Sequence, residues 1–264
     1  MQNYGGVTEP QSNRDHDDAR RAAQVLGLID LTSLGDDDDG ETVDRLCDQA
    51  STPHGPVAAV CVWARFVDRA VARLAGTGIP VAAVANFPQG GTDPSIAVDD
   101  ARRIVDAGGV EVDVVYPWSA LLDGDRTAGP RVVTAVREAI GAEAVLKVIV
   151  ETGELRSPQA IAEAAGHAVG AGADFLKTST GKTPVGATHE AVGVLLDVIE
   201  QGSGMDGDGR TVGVKVSGGV RRLDDATAYL DLIEVRLGPA AVSSATVRIG
   251  ASSLLGEVLT HLSP

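Results

Sequence analysis

Short apolar runs alternate with longer segments of mixed polarity along most of the chain. Each run is rich in Val, Ile, Leu and Ala and is bounded by turn residues, a pattern typical of strands buried on both faces of a parallel sheet. The runs predict eight strands, at residues 26–31, 57–62, 79–85, 110–115, 144–150, 173–178, 212–216 and 246–250.

The segments between the strands carry helix signals, such as the Pro and Asp near the start of residues 94–107. We predict helices at residues 15–24, 41–50, 66–76, 94–107, 127–140, 158–169, 190–200 and 223–233, and a last helix that starts at residues 251–253. Strands that alternate with helices, through connections too long for hairpins, favour a parallel sheet covered by helices on both faces.

Eight such units predict an α/β fold, a single-domain (β/α)8 TIM barrel over residues 15–264 with a short N-terminal helix. Residues 1–14 are polar, and we predict a disordered tail there. A doubly wound open sheet is the alternative. That fold would normally carry a Gly-rich fingerprint after its first strand, but residues 31–34 are Leu-Thr-Ser-Leu.

The overall charge limits the partners of this protein. With 22 basic against 37 acidic residues the net charge is −15, which argues against a nucleic-acid partner because phosphate binding needs a basic face. Residues 1–14 lack the apolar core of a secretory signal, and no apolar run reaches membrane-spanning length. We therefore expect a cytoplasmic protein that binds neither nucleic acid nor membrane.

Metal ligation is not expected. The two cysteines, Cys47 and Cys61, have no disulfide or metal spacing, and the five histidines form no paired motif. Residues 36–39 are four consecutive aspartates, but they match no calcium loop, so a solvated helix N-terminus is favoured there. We predict that this protein uses no metal and no cofactor.

Lysine is rare in this sequence, and its positions point to chemistry. Only four of the 22 basic residues are lysines, and the other eighteen are arginines. Lys147, Lys177 and Lys215 fall in predicted strands, and Lys182 falls in the loop after a strand. A coding bias with random placement would put lysines on helix surfaces. These four are therefore candidates for roles that arginine cannot take, such as nucleophile or proton carrier.

The strand lysines should meet acids at the mouth of the barrel. Active sites of such barrels lie at the C-terminal ends of the strands, where Asp30 and Asp113 also fall, with Glu111 on the same strand face as Asp113. Lys177 is the candidate Schiff-base nucleophile, since burial and the cation of Lys215 on the next strand would lower its pKa. Asp113 would pair with Lys215 and relay protons through a water. A purely structural ion-pair network is the alternative, although buried ion pairs contribute little net stability.

Three glycine-containing segments follow predicted strands six, seven and eight at the same end of the barrel. They are residues 181–182, 218–221 and 250–253. Exposed backbone N–H groups, a helix N-terminus and one or two cations would form a phosphate cradle, which barrels often carry after strands seven and eight. For each segment alone, the glycines of a tight turn are the simpler interpretation. All three together, in this order, favour a phosphate site.

With these residues, the chain resembles the family of 2-deoxy-D-ribose-5-phosphate aldolases, from about residue 29 to residue 259. Eight motifs carry the likeness. In chain order they are Ile29-Asp-Leu-Thr32, Ala59-Val-Cys-Val62, Asn86-Phe-Pro88, Glu111-Val-Asp-Val-Val-Tyr-Pro117, Leu146-Lys-Val-Ile-Val-Glu-Thr152, Gly172 to Lys182, Gly213-Val-Lys-Val-Ser-Gly-Gly-Val-Arg221 and Gly250-Ala-Ser-Ser253.

The resemblance implies a homodimeric class I aldolase of deoxyribonucleotide catabolism. It would reversibly cleave a small phosphosugar, 2-deoxy-D-ribose 5-phosphate, to D-glyceraldehyde 3-phosphate and acetaldehyde. By the same resemblance Lys177 is the Schiff-base lysine, and Asp113 and Lys215 are the proton-relay pair. Asp30 and Lys147 are supporting polar residues. The phosphate would bind to Gly181, Lys182, Gly218, Gly219, Arg221, Gly250, Ser252 and Ser253.

The sequence departs from the family pattern in ways that remove no catalytic group. Trp63 and Ala64 stand where many members have Tyr-Pro, and Ser217 stands where some have Ala. The chain stops soon after its last predicted helix, so we expect no long C-terminal tail over the site. The alternatives are another phosphosugar-binding barrel enzyme, such as a different Schiff-base aldolase or a non-covalent isomerase, and a catalytically inactive phosphosugar-binding protein.

Overall fold

Eight parallel strands close into a barrel in the computed structural model, which describes residues 11–202 and 211–263. Each strand pairs with the next along the chain, and the last pairs with the first, so the sheet has no free edge. This confirms the predicted (β/α)8 barrel, and every predicted strand overlaps an observed one. The barrel strands are β1 Ile29–Thr32, β2 Ala59–Trp63, β3 Val81–Ala85, β4 Glu111–Val115, β5 Val145–Ile149, β6 Phe175–Lys177, β7 Gly213–Ser217 and β8 Val247–Ala251.

Helices surround the barrel, and most begin where the sequence analysis places them. They are α1 Gln11–Leu26, α2 Gly40–Ala50, α3 Val67–Arg73, α4 Pro94–Asp106, α5 Trp118–Leu122, α6 Ala128–Ile140, α7 Thr152–Leu155, α8 Pro158–Gly170, α9 His189–Gly202, α10 Leu223–Leu237 and α11 Leu254–Leu262. Short 3₁₀ turns at Ala64–Phe66 and Pro239–Ala241, and a small hairpin of Ser51–Thr52 with Gly55–Pro56, complete the connections.

Side-chain caps explain several helix starts. Asp39 accepts a hydrogen bond from the backbone N–H of Thr42 at the start of α2, which agrees with the predicted helix N-terminus at residues 36–39. Asp93 caps α4 and Ser157 caps α8, and each of these two caps is followed by proline at the first helical position.

Two predictions about the connections need correction. The first helix begins at Gln11 rather than residue 15, so residues 11–14 do not belong to the predicted tail. Residues 1–10 lie outside the described part of the chain. The sequence after β5 predicts a loop at residues 151–155, but these residues contain the short helix α7. Helix α5 is a further short helix, after β4, that the sequence analysis does not predict. Residues 201–210 are rich in Gly and Asp, which predicts an exposed segment. Residues 201 and 202 end α9 and the others lie outside the described residues, so this stays a prediction.

The barrel interior is divided into an apolar part and a charged part. Along β4, Val112 and Val114 pack into the core shared with the helices, so the alternating Glu111 and Asp113 face the interior. On β2 and β3 a small separate cluster of Cys61, Ala82 and Val84 fills the space instead. The charged part therefore lies on β1 and on β4 to β8. Among residues 11–202 and 211–263, no helix is long and apolar enough to cross a membrane.

Candidate active site

Strand register brings the charged residues of neighbouring strands side by side. Asp113 of β4 is paired with Lys147 of β5, and Lys177 of β6 is paired with Lys215 of β7. Lys215 is in turn paired with Arg248 of β8. Because paired residues of adjacent strands point to the same side of the sheet, these side chains converge within the barrel.

One half of the resulting network runs from Asp113 to Arg248. The Nζ atom of Lys147 donates to Oδ1 of Asp113 at 2.8 Å and to Oε2 of Glu111 at 2.5 Å. The guanidinium of Arg248 donates to the other oxygen of Glu111, with Nη2 2.9 Å from Oε1. The four side chains therefore alternate in charge and are each at most 8% exposed.

The other half returns from Arg248 to Asp113. Nη1 of Arg248 lies 2.7 Å from Oδ1 of Asp30, and Nζ of Lys215 lies 2.5 Å from Oδ2 of the same carboxylate. Lys215 also donates to Oδ2 of Asp113 at 2.8 Å. The two halves form a closed ring of six alternating charges, which we call the charge ring. Its members are Asp113, Lys147, Glu111, Arg248, Asp30 and Lys215.

Lys177 is attached to the charge ring from outside. Its Nζ atom donates to Oδ2 of Asp113 at 2.8 Å, the same oxygen that Lys215 binds. Lys177 is the last residue of β6 and lines a pocket of about 390 Å³ at the C-terminal end of the barrel, whereas the ring members lie behind it. The only buried lysine with access to this pocket, among the residues described, is therefore the one that carries no second carboxylate partner.

The three buried lysines differ in their pKa values. Burial lowers the pKa of Lys177, and the cation of Lys215 adds to that effect, while the carboxylate of Asp113 opposes it without reversing it. Burial would also lower the pKa values of Lys147 and Lys215, but their carboxylate partners outweigh it and raise both. A lysine with a lowered pKa has the larger neutral fraction near pH 7, so Lys177 is the best nucleophile of the three.

The two aspartates of the charge ring are held ionised. Burial alone would raise the pKa of Asp113, but Lys147, Lys177 and Lys215 together bring it well below the usual range. Asp30 behaves in the same way, with its pKa lowered by Lys215, Lys147 and Arg248 against the effect of burial. Both carboxylates can therefore accept protons only transiently, through a water or a neighbouring lysine.

The pocket beside Lys177 gathers the residues that the sequence analysis assigns to phosphate binding. All eight line it, namely Gly181, Lys182, Gly218, Gly219, Arg221, Gly250, Ser252 and Ser253. Gly218 and Gly219 both have positive φ angles, of 87° and 90°, and a Cβ atom on Gly218 would lie 2.9 Å from the Cα atom of Gly186. Only glycine fits such a turn, and it leaves backbone N–H groups free of side-chain cover at the pocket wall.

Lys182 is held at the pocket edge by the loop after β1. Its Nζ atom lies 2.8 Å from Oδ1 of Asp36 and 5.7 Å from the centre of the Trp63 ring. Trp63 itself donates from Nε1 to the backbone carbonyl of Gly35. The first of the four consecutive aspartates therefore contacts a pocket cation instead of only facing solvent at a helix N-terminus.

A buried glutamate that the sequence analysis did not single out supports the same side of the pocket. Glu151 lies in the left-handed region at φ 58°, and its carboxylate accepts hydrogen bonds from the side chains of Thr180 and Thr183. Burial raises the pKa of Glu151. Thr180 lines the pocket and its Oγ1 accepts the backbone N–H of Lys182, so Glu151 fixes the loop that carries both residues.

Arg248 is the charged residue that the sequence analysis missed. It lies two positions before Gly250 on the same strand, so strand alternation would have placed it on the same interior face. Glu111 was recognised as an interior acid but was given no partner. Asp30, Asp113, Lys147, Lys177 and Lys215 all lie in the network, as described above, and no described group of His, Cys, Asp and Glu side chains is arranged to hold a metal ion.

The fold is shared with proteins of known family. Residues 24–255 match the family model described as DeoC/LacD family aldolase. A candidate deoxyribose-phosphate aldolase from Coccidioides immitis is 30% identical, with a TM-score of 0.78, covering 90% of this chain and 86% of that chain. The tetrameric deoxyribose phosphate aldolase from Aeropyrum pernix is 25% identical, with a TM-score of 0.74, and the match covers 96% of this chain and 99% of that chain. A candidate deoxyribose-phosphate aldolase from Toxoplasma gondii, which is 23% identical, shares the fold with a TM-score of 0.85. That match covers 94% of this chain and 96% of that chain.

Proposed function

Since the chain belongs to the DeoC/LacD family of aldolases, we propose that it is a class I aldolase that reversibly cleaves 2-deoxy-D-ribose 5-phosphate to D-glyceraldehyde 3-phosphate and acetaldehyde. The observation that carries this proposal is Lys177, a buried lysine of lowered pKa that reaches the pocket beside the carboxylate of Asp113. The relatives described as deoxyribose-phosphate aldolases at 25% and 30% identity support the choice of substrate.

The first step uses the neutral amine of Lys177. Its lone pair attacks the aldehyde carbon, C1, of the open-chain sugar, and loss of water gives a protonated imine. This iminium is an electron sink, which lets the reaction proceed without a metal. Lys215 is a cation when Lys177 attacks, because its pKa is raised, so the two lysines do not compete for the same role.

The second step breaks the bond between C2 and C3. Asp113 and Lys215 form the relay that takes the proton of the C3 hydroxyl through a water, so that C3 becomes the aldehyde carbon of D-glyceraldehyde 3-phosphate. The electrons of the broken bond move to the iminium and give an enamine on Lys177. Return of a proton to C2 and hydrolysis of the imine then release acetaldehyde and restore the free lysine.

The far end of the pocket suits the 5-phosphate. Lys182 and Arg221 supply cations, and Gly218 and Gly219 supply backbone N–H groups, which together match the charge and the hydrogen-bonding capacity of a phosphate dianion. Binding energy at the phosphate would hold C1 against Lys177 and so lower the entropic cost of imine formation.

The assembly is a separate part of the proposal. The resemblance predicts a homodimer, whereas the relative from Aeropyrum pernix is tetrameric. Light scattering of the purified chain distinguishes the two, and the catalytic proposal does not depend on the outcome.

The proposal is tested by coupling glyceraldehyde 3-phosphate release to a dehydrogenase assay and by trapping the imine. We expect turnover of 2-deoxyribose 5-phosphate, and a borohydride-reduced acetaldehyde adduct that peptide mapping places on Lys177 and that Lys177→Arg lacks. Turnover without an adduct would favour a non-covalent enzyme. An adduct that forms only with dihydroxyacetone phosphate would favour an aldolase that uses ketone donors. Binding of a phosphosugar without turnover would favour a catalytically inactive binding protein. Each of these outcomes overturns the proposal.

A further inference from the structure

The charge ring is electrically balanced without Lys177. Its three cations, Lys147, Lys215 and Arg248, alternate with its three carboxylates, so the six side chains sum to zero. Adding protonated Lys177 would leave a buried site with one net positive charge. A buried net charge is costly because the surrounding protein solvates it poorly, so the balanced state is the one in which Lys177 is neutral.

We infer that Arg248 is a positioning residue that keeps Lys177 in its neutral, nucleophilic form by completing the charge balance of the ring. The inference rests on the proposed function, since it concerns the same lysine. Arg248 does not contact the pocket. It acts through Asp30 and Glu111. Without Arg248, the negative charge of these two carboxylates would be balanced in part by protonation of Lys177.

The contacts of Arg248 explain why an arginine occupies this position. Its two terminal nitrogens bind two different carboxylates, with Nη1 shared between Asp30 and Glu111 and Nη2 on Glu111. It also donates from Nε to the backbone carbonyl of Ser244. A guanidinium stays charged even when buried and spans two acceptors at fixed geometry, whereas an ammonium titrates more readily. The ring therefore contains one cation that cannot lose its proton under any working condition.

Other titratable groups near Lys177 do not replace Arg248 in this balance. Burial raises the pKa of Cys61, which faces Lys177 from β2, so this thiol is uncharged. Burial also raises the pKa of Glu151, whose carboxylate is bound to Thr180 and Thr183. The remaining charged groups that face Lys177 from the packed strands are Asp30 of β1, Glu111 and Asp113 of β4, Lys147 of β5, Lys215 of β7 and Arg248 itself.

Removing one charge from either side of the ring should move the protonation of Lys177 in opposite directions. Arg248→Met leaves the ring with an excess negative charge, so a proton on Lys177 is favoured. Glu111→Gln, which is nearly isosteric, leaves an excess positive charge and disfavours that proton. The double variant Arg248→Met/Glu111→Gln removes one charge of each sign and restores the balance.

The experiment measures the rate of borohydride-trapped imine formation with acetaldehyde against pH, in the full chain and each variant. We expect the midpoint to rise by about one pH unit in Arg248→Met, with a roughly tenfold slower rate at any pH below it and recovery at higher pH. The midpoint should fall in Glu111→Gln and return close to the wild-type value in the double variant. Arg248→Lys, which keeps the charge, should keep the midpoint even if it loses stability.

Several outcomes would overturn the inference. They are an unchanged midpoint in Glu111→Gln, shifts of the same sign in the two single variants, or a rate loss in Arg248→Met that no pH restores in a folded protein. If Arg248→Met does not fold, the downward shift in Glu111→Gln and the double variant still decide the question. A wild-type protein that forms no adduct at any pH contradicts the proposed function itself, which is a different result.

Discussion

Lys177 and Lys215 lie at paired positions of β6 and β7, and their side-chain nitrogens bind the same carboxylate oxygen at the same distance. Both Nζ atoms are 2.8 Å from Oδ2 of Asp113. Lys215 has a second carboxylate, Asp30, which Lys177 does not contact. The pKa of Lys215 is therefore raised while burial lowers that of Lys177, so one residue type provides both a fixed cation and an amine.

The shared carboxylate should be needed for bond cleavage rather than for imine formation. In Asp113→Asn the relay loses its base but Lys177 keeps its amine, and loss of the negative charge disfavours a proton on it. We expect the acetaldehyde adduct to form as in the wild type, while turnover of 2-deoxyribose 5-phosphate falls by about a hundred- to ten-thousand-fold. Trapping by mass spectrometry and the coupled assay give the two readouts.

Asp174→Asn is the matched control for that variant. Asp174 precedes β6, at the opposite end of the strand from Lys177, and pairs with Arg137 there. Its loss should affect stability and leave turnover of the folded protein unchanged. A folded Asp113→Asn protein that cleaves at the wild-type rate, or that forms no adduct, would contradict the assigned relay.

The alternation of apolar runs with helices was sufficient to predict the barrel, because a strand covered on both faces leaves a continuous hydrophobic signal. Positions of Lys177 and Lys215 followed from the same pattern. The sequence could not predict that both lysines bind Oδ2 of Asp113, because this contact depends on the register and tilt with which the eight strands close into a barrel. Arg248 was missed since an arginine near a strand start is usually read as a surface residue, and its interior role appears only with its two carboxylate partners.

Loops were the least predictable part of the site. Helix α7 and the left-handed Glu151 just before it are fixed by contacts with Thr180 and Thr183, which lie about thirty residues away. A local sequence pattern contains no information about such a partner. The same is true of Asp36, whose bond to Lys182 spans 146 residues, although the helix cap at Asp39 in the same run was predictable from local signals.

Arg221 should contribute to phosphate binding and not to chemistry. Arg221→Gln removes a cation from the pocket wall, so we expect the KM for 2-deoxyribose 5-phosphate to rise by roughly tenfold or more, with little change in kcat. The rate with unphosphorylated 2-deoxyribose should be unaffected. Arg222→Gln is the neighbouring control, since Arg222 pairs with Asp224 outside the pocket and should leave both substrates unchanged. An equal loss on both substrates in Arg221→Gln would contradict the assignment.

Asp36 should weaken the binding of phosphorylated substrates. It binds Lys182 and would compete with a phosphate for it, so Asp36→Asn should lower the KM for 2-deoxyribose 5-phosphate by about two- to fivefold at low salt, the range of an exposed ion pair. The gain should shrink as salt screens the charges. Asp37→Asn, one position along the same loop, controls for the general loss of a negative charge. Equal gains in the two variants would mean that overall charge, and not the bond to Lys182, is responsible.

Acid should destabilise the barrel through Asp30. The pKa of Asp30 in the folded protein is lowered by Lys215, Lys147 and Arg248, against the opposing effect of burial. A carboxylate whose pKa is lower in the folded state contributes stability that is present above its unfolded pKa, near ~3.9, and is lost as the pH falls toward its folded pKa. The free energy of unfolding should therefore fall progressively below about pH 4.

Comparison of the wild type with Asp30→Asn isolates that contribution. The variant leaves Lys215 and Arg248 short of a carboxylate, so we expect it to be about 3 kcal/mol less stable at pH 7. Denaturant unfolding at a series of pH values should show this difference shrinking below about pH 4, because the unfolded wild type then binds a proton at Asp30 while the native carboxylate is still ionised. Asp44→Asn, which removes a partly exposed partner of Arg69, should give a much smaller difference at pH 7. A difference between wild type and Asp30→Asn that stays constant from pH 7 to pH 2 would show that Asp30 stabilises the barrel by packing and not by charge.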